Sequence, residues 1–214
     1  MTNGSGLGRL TTPRAAAWAG VLFAVLFGLS LVLVRTSVPP DPFAQPHWID
    51  EGAGRLRVAV LLMPFAGLAF LWFIGVVRDR LGTHEDRFLS TVFLGSGLLF
   101  LAMVFVSMAM AGGILASAAA ASGQLPEEAV VRFGRATMIQ ISNVYGLRMA
   151  GAFMISLGTM WLRTGLTPLW LVALTYSLAL ALLVVTSLSL WATLLFPGWV
   201  LVVSLLFLLT GTTR

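Results

Sequence analysis

Residues 88–121 read FLSTVFLGSGLLFLAMVFVSMAMAGGILASAAAA, 34 consecutive positions without a charged side chain. About 20 apolar residues in a helix cross a hydrocarbon core of roughly 30 Å, and at 1.5 Å per residue this run reaches roughly 51 Å. It overshoots the core. Either this helix tilts, bends at Gly112-Gly113 or projects beyond the bilayer, and projection is the reading adopted here. The whole chain is of the same character. Its 214 residues are 58% hydrophobic and 10% charged, with a mean hydropathy of +0.96, too little polar surface to coat a water-soluble globule. The sequence therefore predicts an all-α polytopic membrane protein forming a single transmembrane domain over residues 1–214.

Working outward from that run, six stretches are long enough to span: approximately 15–34, 58–77, 88–113, 143–162, 168–186 and 189–209. The third and fourth extend outward, the fourth from residue 126 where Leu125-Pro126-Glu127-Glu128 starts a helix. Residues 169–209 contain no charge, and only Ser187, Ser189 and Trp191 mark the break between the last two spans. Pro197 is placed in the outer turns of the final helix as a kink. The first stretch is too long for a signal peptide and lacks a small-residue cleavage site, so it reads as an anchor.

Arginine counts orient the bundle. With both termini cytoplasmic, Arg9, Arg14, Arg78, Arg80, Arg87, Arg163 and Arg214 lie inside, against Arg35, Arg55, Arg57, Arg132 and Arg135 outside, seven against five. The expected location is the bacterial inner membrane. Inner connections are short: Gly82 closes one helix and Thr83 with Asp86 opens the next, while Gly165 and Thr167-Pro168 repeat that pattern with Thr167 as N-cap. The outer segment 35–57 carries Pro39, Pro40, Pro42 and Pro46, which favour extended backbone, and Trp48 suits the headgroup level.

Composition also removes chemistries. The chain has no cysteine, which excludes thiolate metal sites, disulfides and thiol relays. All 13 basic residues are arginine, so no lysine can form a Schiff base. The arginines sit at helix ends rather than on one basic face, which argues for headgroup anchoring and against nucleic acid. No expected span holds Asp, Glu or His, so intramembrane proton relays and bis-histidine haem ligation have no ligands, and no cofactor or metal is expected.

Ala16, Gly20, Ala24 and Gly28 recur at every fourth position, a small-residue stripe for close helix contact within the chain or in a homo-oligomer. Pro64 breaks a backbone hydrogen bond in the second span, as a packing kink or a hinge. Arg148 is the one charge well inside an expected span, roughly 8 Å below the outer boundary. Tyr145, Arg148, Ala152, Ser156, Thr159 and Arg163 share one helix face; Gln140, Asn143, Leu147, Gly151 and Gly158 share another. Arg148, Tyr145, Asn143 and Gln140 are thus candidate ligand-binding residues, with Arg148 either tethering the outer cap or contacting an anion or lipid headgroup.

Glu127-Glu128-Ala-Val-Val-Arg132 resembles the E-E-x-x-x-R motif that opens the active site of intramembrane CAAX-type proteases. That family needs later histidines, whereas His47 and His84 both precede the motif, so the site is incomplete and the acids read as complements to a helix dipole. Gly95-Ser96-Gly97 has no base to activate Ser96 and reads as a close helix contact. The stretch Arg78-Asp79-Arg80-Leu81-Gly82, with Glu85-Asp86-Arg87-Phe88 and Phe93-Leu94-Gly95-Ser96-Gly97, is similar to one in a family of small uncharacterised bacterial multi-helix membrane proteins. That resemblance implies no ligand and no catalytic residue. Its charges either fix the turn or dock a cytoplasmic partner. The expected function is non-enzymatic: a scaffold, accessory or regulatory subunit with membrane lipids and an unknown membrane partner or second copy as partners. The alternative is a carrier or binder of a small lipophilic or anionic ligand in an outward cavity near Arg148.

Overall fold

The structure is a computed structural model and describes residues 13–39, 48–81, 87–120, 128–184 and 190–210. Every regular element among them is helical: α1 (Pro13–Ser37), α2 (Trp48–Leu81), α3 (Arg87–Ala120), α4 (Glu128–Ile139), a π-helical segment (Gln140–Gly146), α5 (Leu147–Thr164), α6 (Leu169–Val184), a 3-10 turn (Leu190–Leu194) and α7 (Leu195–Thr210). Since α4, the π segment and α5 run on without a break, and the 3-10 turn leads into α7, they make six rods. The rods close a ring in the order α1, α2, α3, α5, α6, α7, while α4 extends the α5 rod at its N-terminal end and rests on α3. Among the described residues four helices are long and apolar enough to cross a membrane: Ala17–Ser37, Glu51–Leu81, Arg87–Ala120 and Trp191–Leu209.

The middle of the ring is filled with aromatic rings. Phe70 of α2 lies 4.7 Å from Phe23 of α1, 5.5 Å from Phe100 of α3, 5.4 Å from Phe153 of α5 and 5.7 Å from Phe196 of α7, centroid to centroid. Most of these contacts are tilted or edge-on, the arrangements in which a ring's positive edge meets another's negative face. Phe93 stacks on Phe153 at 4.4 Å, and Trp199 extends the cluster towards Trp161 and Phe207. All of Phe23, Phe70, Phe93, Phe100, Phe153 and Phe196 are fully buried. The middle of the ring is a packed core among the described residues.

α6 brings no aromatic ring to that core and is held differently. Trp199 donates its indole N–H to Thr175 at 2.9 Å, and Tyr176 shares a hydrogen bond with Thr159 at 2.8 Å. Gly151 and Gly158 let α6 approach: a Cβ on Gly151 would sit 3.1 Å from Leu183, and one on Gly158 would sit 3.3 Å from Thr175. In the small-residue stripe of α1, Gly20 makes the close contact, since a Cβ there would fall 1.9 Å from Ser204 Oγ of α7 and 2.8 Å from Phe73. Ala24 is buried, Gly28 faces open space, and the side chain of Ala16 lies outside the described residues.

Several boundaries differ from the sequence expectation. α2 begins at Trp48, ten residues before position 58. The prolines stop at Pro46, and Glu51 in the first turn then favours a helix N-terminus by complementing its dipole. Gly52 lets this added turn lie on the end of α1, where a Cβ would meet the Ser37 carbonyl oxygen at 2.9 Å. α3 runs through Gly112 and Gly113 as one helix of 34 residues, and α4 packs beside its C-terminal half. Gly165 ends α5 in the left-handed conformation at φ 64°, its N–H bonded to the Trp161 carbonyl, the role glycine fills without a Cβ clash. α6 opens one residue later than expected: the Pro168 carbonyl accepts from the Leu171 and Val172 N–H groups, and Thr167 Oγ1 caps nothing among the described residues. Pro197 lies in the first turn of α7 and the turn before it is 3-10, because a proline ring there excludes an α-helical bond to Thr193. The hairpin residues 82–86, including Gly82, Thr83, His84 and Asp86, lie outside the described residues, as do His47 and Glu127 and the side chain of Trp48.

Replacing Phe70 by Ala opens a void against five other rings. A buried Phe→Ala change costs about 3–5 kcal/mol in soluble cores; here the lower figure, about 3 kcal/mol, is expected, because lipid already supplies an apolar surrounding to separated helices. Reversible unfolding in mixed micelles of increasing denaturing detergent measures it, and a loss below about 1 kcal/mol, the scale of an ordinary substitution, would contradict a core centred on Phe70.

Candidate functional site

Polar side chains collect where α1 ends against the π segment. A π turn bonds each N–H five residues back, as the Leu147 N–H does to the Ser142 carbonyl, which widens the helix and frees backbone oxygens for other donors. Two hydroxyls meet on one carbonyl just before it: Ser107 of α3 and Ser142 each donate to the Met138 carbonyl at 3.0 Å. The next residue, Asn143, is buried, and its Oδ1 accepts from Arg35 Nη2 at 2.9 Å and from Ser142 Oγ at 3.2 Å. Arg135, about two turns back, is also buried and donates Nη2 to the Pro39 carbonyl at 2.5 Å. Two arginines distant in the sequence therefore hold the end of α1 against the rod of α4 and the π segment, and their charges repel each other.

Of the residues expected to form a site, Asn143 alone points inward. Arg148 is exposed and donates to the carbonyl of Val144 on its own helix at 2.7 Å; Tyr145 and Gln140 are exposed as well. The four do not converge, and Arg148 lines none of the described cavities. Glu128 and Arg132 pair with one another on the exposed face of α4. Ser96 donates to the Val92 carbonyl at 2.6 Å, and Gly97 lies against Phe153 and Ile74. No group of three or more His, Asp or Glu able to hold a metal occurs among the described residues.

Arg35 and Arg135 were legible in sequence only as headgroup arginines. A finer signal was present for Arg135: Val131, Gly134 and Met138 form the buried stripe of α4, and Arg135 falls on it by helical spacing. Nothing local marks Arg35, whose partner lies 108 positions away.

Beside this cluster is a crevice of about 260 Å³ lined by Arg35, Thr36, Ser37, Val38, Pro39, Glu51 and Arg55. A second, internal cavity of about 20 Å³ lies under the π segment between Phe27, Phe100, Ser107, Ser142 and Thr193, enough for one water molecule. Guanidinium, amide and hydroxyl groups in this arrangement can tie helices together or hold an anion. The chain matches no protein-family model, no curated protein and no solved structure.

Asn143→Ala removes the acceptor of the half-buried Arg35 guanidinium and is expected to cost about 1–3 kcal/mol. Arg148→Gln, at an exposed position, is expected to stay within about 0.5 kcal/mol. Unfolding of both variants in the same detergent series checks the contrast, and the reverse order would return Arg148 to the centre of the site.

Proposed function

We propose that this chain is a six-span protein of the bacterial inner membrane, with both termini cytoplasmic, that works as a non-enzymatic scaffold, accessory or regulatory subunit. The observation that carries the reading is the aromatic filling of the ring around Phe70, which leaves no path along the bundle axis. The outside supports membrane insertion: Trp18, Leu22, Leu61, Phe65, Leu68, Trp72, Leu99 and Leu205 face outward, as lipid contact requires. α5 and α6, of 18 and 16 residues, stand in the same ring as the four longer helices and complete six spans. Arg148 suits this reading, since a lone cation bonded to its own helix carbonyl is anchored, not committed to a ligand.

A protein partner is supported by α4. Phe133 lies 31 residues before Thr164, hence roughly 46 Å along the rod and about 16 Å above a 30 Å core. Phe133 and Val130 are exposed there, beyond the reach of lipid chains. A second reading, a binder of a small anionic ligand, draws on the crevice beside Arg35 and not on Arg148.

Native mass spectrometry of the protein extracted in mild detergent is expected to show a defined oligomer or a co-purifying subunit. A bare monomer carrying a stoichiometric small molecule would favour the binder instead. Since the chain has no cysteine, single cysteines report topology directly. Glu128→Cys is expected to react with an impermeant maleimide in intact cells and Asp79→Cys only after permeabilisation; the opposite pattern inverts the bundle.

A further inference from the structure

We propose that the crevice between the end of α1 and the outer turns of α2 binds an oxyanion of the phosphate class, with Arg35 and Arg55 as its ligands. Arg35 is preset for this. Its guanidinium is held by a neutral partner, Asn143, at 2.9 Å, and its Nε is buried with no hydrogen-bond partner among the described residues. A guanidinium has five N–H donors, so one bond to an amide leaves both its charge and most of its donors unanswered. Arg135 adds a second positive charge acting on the first. A guanidinium such as that of Arg35, answered only by a neutral amide at the edge of a low-dielectric region, is costly, and an anion that pairs with it relieves the cost.

The surroundings fit an anion better than an apolar or cationic guest. Arg55 lines the same crevice one turn above Glu51, and no salt bridge joins Glu51 to Arg35 or Arg55 among the described residues. The hydroxyls of Thr36 and Ser37 donate to carbonyls of their own helix at 3.0 and 2.7 Å, so neither claims the arginines. A volume of about 260 Å³ accommodates a phosphate with several waters, each of which takes roughly 30 Å³ in the liquid. The crevice lies at the last turn of a spanning helix, where the phosphate of a lipid headgroup and a free phosphate from the outer compartment present the same chemistry. Arg and phosphate form strong, charge-assisted, bidentate bonds.

The test uses the full chain in a phosphate-free, non-ionic detergent. Inorganic phosphate is titrated by calorimetry, and native mass spectrometry counts phospholipid retained after extraction and after adding phosphatidylglycerol. Expected is one bound phosphate or one retained phospholipid per chain, weakened about tenfold or more by Arg35→Gln, the loss of a charge-assisted bond, and less by Arg55→Gln. Arg57→Gln and Arg148→Gln should leave it unchanged. Retained lipid without a response to phosphate supports the site and assigns its source to the headgroup; a response to both supports it with free phosphate as a ligand. Absence of both in the unaltered chain, or equal binding by the Arg57 and Arg35 variants, overturns it. Should Arg35→Gln fail to fold, Arg55→Gln against Arg57→Gln decides, and equal affinities there overturn the proposal.

Discussion

Shape, not water exclusion, has to hold this bundle together. Helices already in lipid gain little from hiding apolar surface, because acyl chains are as apolar as leucine; what separates the assembled ring from loose helices is the quality of contact inside it. Phe70 supplies that contact. It touches rings from α1, α3, α5 and α7 as well as Phe73 of its own helix, so five of the six rods converge on one cluster. Bulky planar groups leave few alternative packings, and the small residues follow from this: Gly20, Gly97 and Gly151 stand where a neighbouring helix presses in around the filled centre.

A filled centre also pushes polarity to the ends. At one end Arg80 lies over the Phe207 ring at 4.0 Å, joining α2 to α7 through a cation–π contact. At the other end the π turn, Asn143, Arg35 and Arg135 bind α1 to the rod of α4 and α5. The π turn matters because an unbroken α-helix would carry residues 128–142 round by an extra 100° or so per residue inserted, changing which side of α4 meets α3. It lets one rod bury Arg135 above the turn and Gly151 below it. At that same end lie both the crevice between α1 and α2 and the exposed Phe133 of α4.

Hydropathy alone carried much of this. The excess length of residues 88–121 is present as one continuous helix, Arg87–Ala120, with α4 beside it. Gly165 was readable as a stop because a left-handed residue at a helix end has few other solutions. Less was readable at the start of α2, since residues 48–57 are polar and look like loop until one sees α1 ending against Gly52. The site was less legible still. Arg148 drew attention through depth, a one-dimensional property, but orientation about the helix axis and the π turn place it outward, while Arg35, at an unremarkable boundary position, acquires its partner from the far half of the chain.

The amino-acid sequence by itself therefore determined the helical class, the long apolar segments and the absence of cysteine and lysine chemistry, because these depend on composition and on local spacing of apolar and polar residues. The tertiary structure decided the order of helices around the ring, the sealing of its centre by Phe70 and its neighbours, and the pairing of Arg35 with Asn143. Each of those rests on contacts between residues distant in the chain, and a contact of that kind depends on rotation and register of whole helices, which no local pattern specifies.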